Sequence, residues 1–138
     1  MKKKIIILFL FFAGCSCSNT KDEKIEDKSL PVQESQYLYN LNIDSLTVIN
    51  ENVRNGESVG QILNNYNVSF SEIDRIAKLS RKIFDLRDVK AGGSYSLLFN
   101  DSIPYYFIYE IDKVDFLVAK LYDTISVYLD KKELIIKE

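Results

Sequence analysis

The residues that could do chemistry in this chain are carboxylates, hydroxyls and phenols, because its 138 residues include no histidine. Its 2 cysteines, Cys15 and Cys17, both lie close to the N-terminus. Serine–histidine–aspartate triads, histidine-ligated zinc and cysteine–histidine nucleophile pairs are therefore excluded for this sequence, and it calls for no cofactor or metal. Acidic pairs do occur, Asp112 with Asp115 and Asp85 with Asp88. A glycosidase dyad needs a cleft and carboxyl groups about 5–10 Å apart, whereas turns supply aspartates at such places without any catalytic demand. Turn chemistry is the preferred reading, and no catalytic residue is assigned. The 9 tyrosines offer ring faces on which sugars stack. However, Tyr105, Tyr106, Tyr109, Tyr122 and Tyr128 sit in β-prone runs, where rings pack against cross-strand neighbours. The residue types point to recognition rather than reaction.

Those side chains must be positioned by one small domain, since 138 residues and 46% hydrophobic content suit a single core with tails. The N-terminus is an export signal. Met1-Lys2-Lys3-Lys4 is positively charged, and the apolar run Ile5–Phe12 is too short to span about 30 Å of hydrocarbon. The tetrad Phe12-Ala13-Gly14-Cys15 resembles the lipobox of bacterial lipoproteins, which implies cleavage after residue 14 and acylation of Cys15. An ordinary secretory signal with two incidental cysteines is the alternative. Loss of residues 1–14 removes three of the 18 Lys and Arg and none of the 20 Asp and Glu, taking the net charge from −2 to −5. An acidic domain has no general attraction for nucleic acid, so membrane attachment falls to the acyl chains on Cys15. Residues 15–40 read as the acylated cysteine and a flexible, charge-mixed tether. Within it, Lys21-Asp22-Glu23 is read as solvated linker rather than as a surface-export tag.

The folded part, residues 41–138, reads as α+β. Leu46–Ile49 is β-branched, with Val53 continuing it before the turn signal Asn55-Gly56. Ser58-Val59-Gly60-Gln61 and Ser69-Phe70-Ser71-Glu72 both match the capping box. Val59, Ile62, Leu63 and Tyr66 follow the first at helical spacing. Ile73, Ile76 and Ala77 follow the second, with Ile83 or Phe84 extending the stripe, and Asn64, Asn65 and Asn67 close the first helix. Ala91-Gly92-Gly93 then leads into Tyr95–Phe99, a strand with Ser96 outward. Three further aromatic and β-branched runs, Tyr105–Tyr109, Phe116–Tyr122 and Ile125–Leu129, are separated by turn residues, as in an antiparallel meander. Leu134-Ile135-Ile136 begins another strand.

The order of motifs from Val53 to Leu97 resembles a LysM domain. It is closer to the LysM-like, opacity-associated-protein-A-like N-terminal domain of lysostaphin-type zinc murein endopeptidases. Gly56-Glu57-Ser58, Gln61-Ile62-Leu63, Ser69-Phe70-Ser71-Glu72-Ile73-Asp74, Phe84-Asp85-Leu86-Arg87, Ala91-Gly92 and Tyr106-Phe107-Ile108-Tyr109-Glu110 carry the likeness. The resemblance implies a strand-helix-helix-strand unit followed by a meander. It also implies a shallow groove for peptidoglycan glycan strands, lined by Gly56, Glu57, Ser58 and Val59 on one side and Phe84, Asp85 and Leu86 on the other. For Ser58 helix capping is the stronger reading, and for Phe84 and Leu86 core packing is.

In that family the zinc is held by two histidines and an aspartate of a C-terminal catalytic domain. This chain, without histidine, is not expected to be an enzyme. It reads either as the front part of a longer peptidase, which the apolar run at its last residues favours, or as a relative that kept only the targeting half. The expected partners are glycan strands, a zinc murein endopeptidase domain or another envelope protein, and the expected location is the cell envelope. The anchor is directly testable. Cys15→Ser is expected to move the protein from the detergent phase to the aqueous phase on Triton X-114 partition; an unchanged partition contradicts acylation at Cys15.

Overall fold

The structure is a computed structural model that describes residues 34–133. The signal sequence, Cys15, most of the tether and Leu134-Ile135-Ile136 lie outside the described residues. Among the described residues, seven strands and two α-helices follow one another in the order β1 (Tyr37–Leu38), β2 (Leu41–Asn42), β3 (Thr47–Asn52), α1 (Val59–Asn65), α2 (Phe70–Ser80), β4 (Ser94–Asn100), β5 (Ile103–Glu110), β6 (Asp115–Lys120) and β7 (Ser126–Lys131). β1 and β2 form a small hairpin, and β3 to β7 form a five-stranded antiparallel sheet in sequence order. The α+β class, the strand-helix-helix-strand unit and the meander are all present.

Local chemistry explains the helices. Ser58 and Ser69 each accept from the backbone N–H three residues on, while Gln61 and Glu72 accept in return from the cap N–H, so both capping boxes are complete. The first helix stops in a Schellman turn. Asn67 takes a left-handed φ of 64°, its N–H reaches Asn64 O at 3.1 Å, and Val68 N–H reaches Leu63 O at 3.1 Å. The second helix ends at Ser80, earlier than the stripe suggests. Ser80 O accepts from both Ile83 N–H and Phe84 N–H, which turns the chain. Ile83 is left exposed, and Phe84 is free to pack against Tyr109 with ring centroids 5.7 Å apart.

The sheet is buried on both faces. On one, the helices lay Val59, Ile62, Leu63 and Ile76 against Leu97, Phe107, Leu117 and Ala119. On the other, Leu98, Ile108, Phe116 and Val118 are covered by Tyr39, Leu41, Ile43 and Leu46 of the N-terminal segment. Ser96 is therefore not outward to solvent: it faces away from the helices but is only 2% exposed, because Tyr39 and Asn50 close over it. Tyr39 and Asn40 have φ of 51° and 59°, as the tight two-residue turn between β1 and β2 requires, and Asp101 and Ser102 do the same between β4 and β5. Pro104 lies within a central strand where the β4–β5 register shifts, which is where a missing N–H is tolerated.

Two glycines illustrate opposite constraints. A Cβ at Gly93 would come within 2.6 Å of the Tyr109 hydroxyl and 3.0 Å of Lys90 O, whereas one at Gly60 in α1 would meet Ile73 at an ordinary 3.5 Å. In urea denaturation Gly93→Ala is expected to cost about 1–3 kcal/mol, and Gly60→Ala to stabilise by up to about 1 kcal/mol. Equal effects at the two positions would contradict this packing.

Candidate functional site

The turn between β3 and α1 is built on Gly56, whose φ of 76° suits glycine. Glu57 N–H donates to Arg54 O, and the Glu57 carboxylate accepts in return from Arg54 N–H at 3.1 Å. A shallow open cleft of about 360 Å³ lies here, lined by Arg54, Asn55, Gly56, Glu57, Gln61 and Asn65. Ser58 is the N-cap of α1, and Val59 is buried at 2% exposure. Across the loop after α2, Phe84 and Leu86 pack against the core. Asp85 caps a single 3-10 turn, Leu86–Asp88. Its carboxylate accepts from the Arg87 guanidinium at 2.6 Å and from Arg87 N–H at 3.0 Å, and these bonds hold its pKa down at about 2.

Of the seven residues expected to line a groove, Gly56 and Glu57 thus line one cleft. Ser58 and Val59 serve the helix and core, and Phe84, Asp85 and Leu86 are not part of that cleft's lining. The loop after α2 does return to the first turn, since Gly92 N–H donates to Val53 O at 2.7 Å and Val53 N–H to Gly93 O at 2.9 Å. Asp112 is a turn residue whose carboxylate accepts from Val114 and Asp115 N–H, both at 2.7 Å. Tyr105 and Tyr122 stack at 4.4 Å on the sheet surface, with Tyr122 exposed.

A second cleft, of about 450 Å³, lies on the opposite face of the sheet beside the β1–β2 hairpin. Here Tyr39 Oη donates to Glu110 Oε1 at 2.7 Å, and Lys132 Nζ reaches the same oxygen at 2.7 Å from within 5.6 Å of the Tyr39 ring centre. Burial and the neighbouring carboxylate push the Tyr39 phenol up to about 12. Partial burial works against ionising Glu110, but the bonds from Lys132 and Tyr39 bring its carboxyl below the usual range. Sequence reading missed this cleft, although a signal for it exists. Asn50 and Asn52 on β3, and Ser94 and Ser96 on β4, alternate with period 2 and face one another across the ladder.

Among the described residues no helix is long and apolar enough to cross a membrane, and no group of three or more Cys, Asp or Glu side chains is placed to hold a metal ion. No family model matches the chain. No curated protein matches it either. Among solved structures it is similar to a zinc-containing peptidase from Vibrio cholerae, at 17% identity and a TM-score of 0.53, over 61% of this chain. The match spans 27% of that peptidase's chain. At this identity the likeness is one of fold.

The Tyr39–Glu110 pair predicts an alkaline limit to stability. A phenol whose folded pKa is raised contributes stability that is complete below its unfolded value and lost as pH rises from about 10 to about 12. Between those pH values the parent protein is expected to lose more unfolding free energy than Tyr39→Phe, in which Lys132 and the other tyrosines are retained. Parallel pH profiles would contradict the Tyr39 assignment.

Proposed function

We propose that this chain is a non-catalytic, lipid-anchored cell-envelope module, equivalent to the N-terminal peptidoglycan-binding or regulatory domain of a zinc murein endopeptidase. The observation that carries the proposal is the shared fold with part of a zinc peptidase in a chain that has no histidine. A zinc-bound water becomes a nucleophile near neutral pH only when a preformed ligand set holds the metal. This sequence retains the LysM-like pattern without those ligands. The solvent-open cleft at the Gly56 turn, with backbone groups, Gln61 and Asn65 at its rim, supports contact with acetamido sugars on a glycan strand.

A second reading is favoured by where the other groove residues lie. With Ser58, Val59, Phe84 and Leu86 committed to caps and core, the sugar-contacting surface is small. The exposed rings of Phe70 and Tyr122, with Ile103, offer apolar surface for a protein partner instead. In that reading the module packs on a catalytic zinc domain and restrains it.

Sedimentation with purified sacculi separates the two. The glycan reading expects the protein to pellet with sacculi and Asn55→Trp, which fills the turn cleft without disturbing the left-handed Gly56, to weaken binding by about tenfold or more. Inhibition of a purified zinc murein endopeptidase without sacculus binding selects the regulatory reading. Absence of both sacculus binding and peptidase inhibition would contradict the proposal.

A further inference from the structure

We propose that the free edge of β3 takes an extended peptide segment of a partner protein as a sixth strand, whose side chains enter clefts on alternate faces of the sheet. The inference stands apart from the glycan reading and from the apolar surface around Phe70.

The backbone sets the argument. Among the described residues β3 pairs with β4 alone. Val53 N–H donates to Gly93 O and Gly92 N–H to Val53 O, so Val53 faces β4. Backbone direction alternates along a strand, hence Glu51, Ile49 and Thr47 also face β4. Val48, Asn50 and Asn52 then direct N–H and C=O out of the sheet, and among the described residues none of these groups has a hydrogen-bond partner. The strand is six residues long and carries neither lysine nor proline, the residues that commonly protect an edge. Only an extended polypeptide repeats N–H and C=O at the matching interval.

Side chains choose the sequence that fits. A ligand residue opposite Ile49 shares the helix-bearing face. There Thr47, Ile49, Tyr66 and Phe99 line a cleft of about 350 Å³ with no charged side chain, which suits an apolar or aromatic residue. The residue opposite Glu51 lies on the same face. Glu51 accepts from Tyr95 Oη but has no ion pair among the described residues, so a cation is its complement. On the other face Asn50 and Asn52 use Oδ1 to accept from Ser96 and Ser94, which leaves their NH2 groups for a hydroxyl side chain. The matching segment alternates hydroxyl residues with one basic and one aromatic residue two places apart.

The test titrates the full chain, in neutral detergent, with the peptide acetyl-Ser-Thr-Lys-Thr-Phe-Thr-Ser-amide and follows backbone amides by NMR. Without peptide, the N–H groups of Val48, Asn50 and Asn52 are expected to exchange faster than those of Ile49 and Glu51. Peptide is expected to shift them saturably and slow their exchange about tenfold or more. N-methylation of the central threonine, which keeps every side chain but removes the N–H facing Asn50, is expected to weaken binding about tenfold or more. Glutamate in place of the peptide's lysine is expected to weaken it about threefold or more. Absence of saturable shifts overturns the proposal, as does undiminished affinity of either altered peptide. Protection of Val48, Asn50 and Asn52 that grows with protein concentration in the absence of peptide gives the edge to a second copy, and also overturns it.

Discussion

The structure depends on one constraint: the central strands of the sheet are apolar on both faces and need two covers. Leu97, Phe107 and Leu117 point one way, Leu98, Ile108 and Val118 the other, and all six are fully buried. A two-sided sheet left open on one face would expose a contiguous apolar patch. The helices cover the first face, and the short N-terminal hairpin with Ile43 and Leu46 covers the second. Everything at the back of the molecule follows from this. Tyr39 must reach over Phe116, with ring centroids 5.0 Å apart, and its phenol then needs a partner, which Glu110 supplies. Ser96, placed where the apolar cover gives way to polar groups, is satisfied by Asn50 and Tyr39 rather than by water.

The front half of the fold was legible in the sequence because its signals are local. Two capping boxes, two apolar stripes and Asn67 at a left-handed position fix helix starts and one stop with interactions spanning only a few residues. The meander was legible for a similar reason, since aromatic runs alternate with turn residues. The back cover was not. Its strands are two residues long, its turn places a bulky tyrosine at positive φ, and its apolar residues follow a charged tether. Nothing within that segment says that it meets Phe116, more than seventy residues later. Hence Ser96 read as a solvent-facing position, when long-range packing buries it. The end of α2 was overrun because Ile83 and Phe84 continue the helical spacing, while the Ser80 turn that interrupts them leaves no sequence mark.

The candidate groove divides along the same line. Gly56 and Glu57 are where the turn signal places them, and the capping role of Ser58 was visible in its spacing from Gln61. Phe84 and Leu86 became core residues because the loop after α2 folds back over Tyr109 and the sheet. The polar cleft behind the sheet depends on cross-strand register and on the hairpin, so its members lie in four separate stretches of chain. The cleft at the Gly56 turn and the cleft behind the sheet are thus built by different means, and neither is lined by an imidazole. In the proposed reading, such a module recognises and positions, and the chemistry belongs to a partner.

The most direct test of that claim is muropeptide release. Purified protein incubated with sacculi, with and without added zinc, is predicted to release no more soluble muropeptide than buffer does, as resolved by reversed-phase chromatography. Release above that background by this polypeptide, with or without a chelator, would contradict the account.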